Sequence, residues 1–355
     1  MTSGSTSVHR HASVKTTFGE DQSRLVWMDF ARGICILLVI VFHARPAMQV
    51  YAPMSLTEPF LLDTFNRFFA PYRMPLLMFL SGMLLHKSLA KDTRHYVQGK
   101  FTQIFWPFLI FSMLILFVGD RLTLINMLKV PISSPTLLWY LWFLVAFYLL
   151  TLAFVKARVP LWAVAVASLA LVPFLPDIQR IPRFAFLFFF FLAGHLAMTM
   201  MHRSARGTLQ LGPLPLGRLT GAIGLVLTVI GGYISVTGGS IKYDVLHVWA
   251  PLGLAVLMLT VGPLYRTTSA TAWLEWIGRN SLVFYVIHFP VQMVTAQFMY
   301  GSSGITEFMP IFLSVVMMSL LVSTLLQMAR TRFWFVAALF DFNRLRAGRP
   351  GLNPG

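Results

Sequence analysis

Residues 24–46, RLVWMDFARGICILLVIVFHARP, decide the fold class. The apolar run inside them is long enough, at about 1.5 Å per residue, to cross a hydrocarbon core of about 30 Å as one helix. Three ionisable groups interrupt it: Asp29 and Arg32 sit inside, and His43 lies near the far end. The rest of the chain has the same character. Apolar types make up 57% of its 355 residues and charged types 11%, where a soluble domain carries about 25% charged. Mean hydropathy is +0.72. No soluble core of this size hides so much apolar surface. The reading is an all-α polytopic membrane protein.

About ten apolar stretches are expected to cross the bilayer, at 25–44, 67–85, 101–118, 137–155, 160–176, 184–201, 219–238, 245–264, 280–299 and 308–329. The fifth is the shortest and ends in LVPFLPD. A net charge of +16 would suggest nucleic acid in a soluble chain, but the positions of the charges argue otherwise. With the N-terminus inside, nineteen of the 28 Lys and Arg residues fall on the cytoplasmic side and eight outside, with Arg32 within the first span. That bias predicts both termini in the cytoplasm and no nucleic-acid partner. Residues 1–24 are polar, Ser/Thr/His-rich and expected to be disordered. They lack the apolar core of a signal peptide, which makes the first span an uncleaved anchor. Residues 25–330 form the membrane domain, and 331–355 a cytoplasmic or interfacial tail. The lone Cys35 excludes a disulfide framework, and no cluster has metal-ligand spacing.

Ionisable groups at membrane depth cost about 2.5–3.5 kcal/mol each on insertion scales and tend to mark pathways or active sites. Asp29 and Arg32 are three apart, on one helix face. Arg32 and His43 are eleven apart, which brings them back to within about 20° of the same stripe and separates them by roughly 16 Å. One face of the first helix thus carries a cation toward one side and an imidazole toward the other. A buried structural ion pair with an interfacial histidine fits the same spacing. His288 lies mid-span before Pro290, where a broken backbone can line a cavity. His195 suits a packed core histidine, His247 an interfacial one, and Cys35 a small buried hydrophobe. Arg73 is either a headgroup anchor or a site residue. Ser81-Gly82 offers a small patch for helix contact. Trp139 and Trp142 read either as an aromatic belt or as sugar-stacking platforms.

Taken together, these segments resemble the membrane acyltransferase-3 family, the integral-membrane O-acyltransferases of bacterial surface glycans. The likeness rests on Asp29-Phe30-Ala31-Arg32-Gly33 with His43, then Arg73-Met74-Pro75 running into Phe79-Leu80-Ser81-Gly82. Trp142-Phe143-Leu144 follow, and Gly278-Arg279-Asn280-Ser281 with Tyr285 and His288-Phe289-Pro290 close it. It covers about residues 25–330, in a stand-alone form with no esterase-like domain. One departure is clear: the family's Arg-x-x-Arg before the third span is Lys100 and Gln103 here. Lys100 can still meet a phosphate as a point charge, and Gln103 cannot.

The resemblance implies transfer of a short acyl group, acetyl by expectation, from acyl-CoA to a hydroxyl of a cell-surface glycan or lipid-linked saccharide. The setting would be the inner membrane, with no bound cofactor and no metal. His43 is the expected general base, Arg32 the cation for donor charge or an oxyanion, and Asp29 the group that orients Arg32. Arg73, Ser81, Trp142, His288 and Lys100 are the expected substrate-binding residues. Two rivals stand beside this reading: a secondary transporter using Asp29, Arg32 and His43 as a relay, and a non-catalytic subunit.

Overall fold

The computed structural model describes residues 25–51, 58–133, 136–176, 178, 180–205, 214–238, 243–301 and 307–347. The N-terminal tail, most of the C-terminal tail beyond the last helix, and the basic residues Arg206 and Lys242 lie outside them. Every regular element among the described residues is helical. In chain order the first are α1 (Val26–Gln49), α2 (Phe60–Phe69), α3 (Arg73–Met83), α4 (Leu85–Leu89), α5 (Thr93–Lys100) and α6 (Trp106–Val118). A π-helical turn at Phe101–Phe105 joins α5 to α6. Next come α7 (Leu124–Ser133), α8 (Trp139–Lys156), α9 (Leu161–Leu171), α10 (Ile181–Ala205), α11 (Leu214–Thr237) and α12 (Trp249–Val261). The chain closes with α13 (Ala272–Arg279), α14 (Ser281–Gly301), α15 (Phe308–Arg332), α16 (Trp334–Phe340) and α17 (Phe342–Ala347).

Among the described residues nine helical stretches are long and apolar enough to cross a membrane. They match the expected spans except at 160–176, where the apolar helix Leu161–Phe174 is too short by that measure. Its neighbours show what it does. Phe143 of α8 packs on Phe184 of α10 at 5.0 Å, Phe147 on Phe188 at 4.9 Å, and Tyr148 on Phe191 at 5.1 Å. The numbers rise together, so α8 and α10 run in the same direction. The chain between Lys156 and Ile181 must therefore return across the bundle, and α9 with its terminal 3₁₀ turn makes most of that return. The second span differs in the other direction. It extends back to Phe60, because α2, α3 and α4 continue one another with breaks at Ala70–Tyr72 and Leu84. Pro75 sits in the first turn of α3, where its missing N–H removes nothing.

In lipid, helices gain little by hiding apolar surface from one another, so close packing must hold them. Two glycine contacts supply it around α1 and α3. A Cβ on Gly33 would lie 2.0 Å from the Leu274 carbonyl oxygen, and one on Gly278 would lie 1.7 Å from that of Asp29. Gly82 and Gly194 do the same between α3 and α10, against Phe191 and Phe79. Phe186, Phe190 and Phe191 of α10 are fully buried in the core.

Candidate active site

Two cavities open at opposite ends of the α1 stripe. The first, of about 480 Å³, is bordered by Arg32, Ser81, Gln103, Tyr140, Arg279 and Arg330, among others. The second, of about 380 Å³, is bordered by His43, Arg73, Trp139, Arg180, Arg183 and Tyr243, among others. Tyr285 borders the first cavity, and its hydroxyl donates to the carbonyl of Leu137, which borders the second.

A file of four rings joins the two. Tyr140 lies 5.3 Å from Tyr285, Tyr285 5.8 Å from His288, and His288 5.2 Å from His43. The hydrogen bonds fix the imidazole tautomers. His43 Nδ1 lies 2.9 Å from the Val39 carbonyl oxygen, and His288 Nδ1 lies 3.2 Å from that of Phe284. A carbonyl only accepts, so each neutral ring carries its proton on Nδ1 and leaves Nε2 basic. His288 Nε2 is 3.4 Å from His43 Nδ1 and can share that N–H with Val39. His288, expected as a substrate-binding residue, is buried behind His43 and does not border the second cavity.

Around the first cavity, an Arg32 Nη donates to the Leu80 carbonyl at 3.1 Å. Ser81 Oγ bonds the Tyr140 hydroxyl at 2.9 Å, which ties the small patch on α3 to α8. Asp29 is buried one turn from Arg32, with its backbone against Gly278. Lys100 stacks on Tyr148, its Nζ 3.7 Å from the ring centroid, and donates to Ser88 Oγ at 2.9 Å. Gln103 falls in the π-helical turn and borders the cavity. Such turns are frequent at functional sites.

At the second cavity, Arg73 is buried, with its guanidinium 4.0 Å above the Phe42 ring. Arg183 lies 4.6 Å from the Tyr243 ring and 5.3 Å from the Trp139 ring. Arg180 is held in the left-handed region at φ 68°. Burial first, and then the neighbouring Arg183 charge, lower its guanidinium pKa from the ordinary value. Trp142 is placed differently from expectation. Its indole N–H donates to the Pro131 carbonyl at 2.9 Å, away from both cavities, and Trp139 borders the second one instead. Glu58 and Asp63, which follow α1 in the chain, pair with Arg45 and Arg67.

Arg180 and Arg183 were the residues that sequence reasoning did not single out; of the two tryptophans it weighed as sugar platforms, Trp139 is the one that borders a cavity. A usable signal existed: two arginines three apart in a loop that the charge bias assigns to the outside run against the positive-inside trend. His195 packs beside His86 with ring centroids 6.4 Å apart, away from both cavities. Cys35 is buried among apolar side chains. Among the described residues no group of His, Cys, Asp and Glu could hold a metal.

Comparison with known proteins agrees with this architecture. The chain matches the acyltransferase-3 family, described as an acyltransferase domain, over residues 25–328. It is similar to the inner membrane protein YcfT of Escherichia coli (strain K12), at 25% identity over 177 residues, 42% of this chain and 50% of that protein. The match thus spans about half the length of that relative. No solved structure matches. The family match takes in both cavities' α1 stripe and the ring file between them, and this multi-pass membrane protein belongs to the acyltransferase-3 family.

Proposed function

We propose that the protein transfers a short acyl group, acetyl in the simplest case, from acyl-CoA to a hydroxyl of a surface glycan or lipid-linked saccharide, in the cytoplasmic membrane. The observation that carries this reading is the pair of cationic cavities at the two ends of the α1 stripe, joined by rings that end on His43. The Arg32 cavity lies toward Arg279 and Arg330, on the face where most Lys and Arg fall, which favours its opening to the cytoplasm. Arg32, Arg279 and Arg330 offer charge to the phosphates of CoA, with the long pantetheine arm reaching inward along α1. Lys100, on the Tyr148 ring, adds charge beside that cavity.

The acceptor enters the His43 cavity. His43 Nε2 takes the hydroxyl proton as the oxygen attacks the thioester carbonyl. The tetrahedral intermediate collapses with cleavage of the C–S bond, and the imidazolium returns the proton to the departing CoA thiolate. Ester and free thiol are the products. Val39 and His288 hold the Nδ1–H of His43 throughout and stabilise the transient imidazolium.

Cavities at opposite ends also suit a secondary transporter, which would move its substrate without consuming acyl-CoA. Mass spectrometry of surface glycans from wild-type, deletion and His43→Ala cells, with thiol release from acyl-CoA followed in their membranes, separates the two. The expected result is one acyl mass lost equally from both altered strains. Glycans unchanged by the deletion, or changed in the deletion and restored by His43→Ala, would overturn the proposal.

A further inference from the structure

We propose that the acceptor bound in the His43 cavity is anionic: a saccharide bearing, or linked to, a carboxylate or phosphate that Arg73, Arg180 and Arg183 hold. This rests on the acyl-transfer reading above and names the substrate class of its acceptor site. Three guanidiniums border one cavity of about 380 Å³, and no Asp or Glu borders it with them. Among the described residues none of the three pairs with a carboxylate.

Among the described residues, the acidic groups nearby are already engaged. Glu58 and Asp63 face Arg45 and Arg67, and Asp244 accepts from His247 Nδ1 at 2.6 Å. What the three arginines have instead is aromatic support. Arg73 lies over Phe42, and Arg183 lies near both Trp139 and Tyr243. Rings hold guanidinium planes in place without neutralising them. The hydrogen bond that Arg73 donates to the Leu38 carbonyl is long at 3.5 Å. Most of the fork donors therefore remain for a ligand, and carboxylate and phosphate are the groups that match them in pairs.

Crowded cations in a shielded site repel one another until an anion enters. At Arg180, burial first and then the Arg183 charge lower the guanidinium pKa. A neutral sugar would call for side chains that accept from hydroxyls as well as donate to them. This wall offers chiefly donors, with the Trp139 ring as a platform for a sugar face.

The test uses the full chain in phosphatidylcholine nanodiscs and three probes: methyl glucoside, methyl glucuronide and farnesyl pyrophosphate. Binding is measured by calorimetry, and thiol release from acetyl-CoA is followed in parallel. At least one anionic probe should bind about tenfold or more tighter than methyl glucoside, the size of one charge-assisted contact. The double variant Arg180→Gln/Arg183→Gln should erase that preference, and Arg183→Lys should keep part of it, which separates lost charge from lost folding. A glucuronide preference assigns a sugar carboxylate, and a pyrophosphate preference assigns a lipid carrier. Equal binding of neutral and anionic probes would overturn the inference, as would a preference untouched by the Gln variants. So would its loss when phosphatidylglycerol is added to the disc, which would make the cavity a seat for bilayer headgroups. Arginine-dependent anion binding with no consumption of acetyl-CoA under any condition would leave the anion site standing and remove acyl transfer.

Discussion

Gly278→Ala is the sharpest perturbation available, because the contact it breaks is backbone against backbone. The new methyl carbon would stand 1.7 Å from the Asp29 carbonyl oxygen, 2.7 Å from the Asp29 carbonyl carbon and 2.9 Å from the Gly33 amide nitrogen. Ordinary contact needs about 3.2–3.5 Å, so α13 must retreat from α1 by roughly 1.5–2 Å. No flexible side chain can absorb that movement. The residues that follow Gly278 are Arg279, Asn280 and Ser281, and all three border the cavity that Arg32 enters from α1. The retreat therefore widens the Arg32 cavity by about its own length. Overpacking of this kind costs about 1–3 kcal/mol in stability, and a misplacement of about 1 Å at a reacting constellation can cost on the order of a hundredfold in rate. The assay is thiol release from acetyl-CoA in nanodiscs, normalised to folded protein, with thermal unfolding alongside. Gly33→Ala should behave the same way, since its Cβ would lie 2.0 Å from the Leu274 carbonyl oxygen. Gly99→Ala is the control: nothing lies within 4 Å of its Cβ, and α5 should gain slightly in helix propensity. Wild-type melting and turnover in Gly278→Ala would refute the claim that this contact sets the cavity.

His43→Gln keeps much of the side-chain volume and removes the base, so turnover should fall by about 10²–10⁴ with little change in donor KM, measured by steady-state kinetics. His288→Phe keeps a ring but removes one acceptor of the His43 Nδ1–H. Because Val39 still holds that proton at 2.9 Å, turnover should drop by only about tenfold, the worth of one hydrogen bond. A loss as large as that of His43→Gln would place His288 against the reacting atoms. Gln103→Arg adds a cation to the first cavity and should lower the KM for acyl-CoA several-fold, with a steeper salt dependence. Trp139→Ala should raise the acceptor KM while Trp142→Phe leaves it unchanged, since only Trp139 borders the second cavity.

The features that were legible in the sequence are those set within a single helix. The stripe carrying Arg32 and His43 follows from helical pitch alone, and the structure opens a cavity at each end of it. The span count was legible because hydropathy is local. The fifth span shows where local reading stops. The sequence counts 160–176 as a crossing, yet Leu161–Phe174 is too short to qualify by its own length, and it is the parallel run of α8 and α10 that requires the chain to return there. Likewise, α8 is apolar on every side, so nothing in its sequence fixes its rotation. Packing on α7 and α10 turns Trp139 to the cavity and Trp142 to Pro131, and that choice is tertiary.

The arginine wall of the His43 cavity was illegible for a related reason. Arg73 and Arg183 lie on different spans, more than a hundred residues apart, and each alone suits a headgroup anchor. Their meaning comes from what they do not face. The carboxylates Glu58 and Asp63 are drawn to Arg45 and Arg67, and Asp244 turns to its own helical neighbour His247. Each pairing is local, within a few residues or one loop, and forms at little entropic cost. Once those pairs close, the remaining cations are left to the rings around them and to whatever enters. The unpaired charge at the His43 cavity is thus a consequence of how the paired charges are distributed along the chain. Moving one acid should be enough to change it: a carboxylate placed at Tyr243, beside Arg183, would occupy the guanidinium from within and weaken binding of any anionic acceptor.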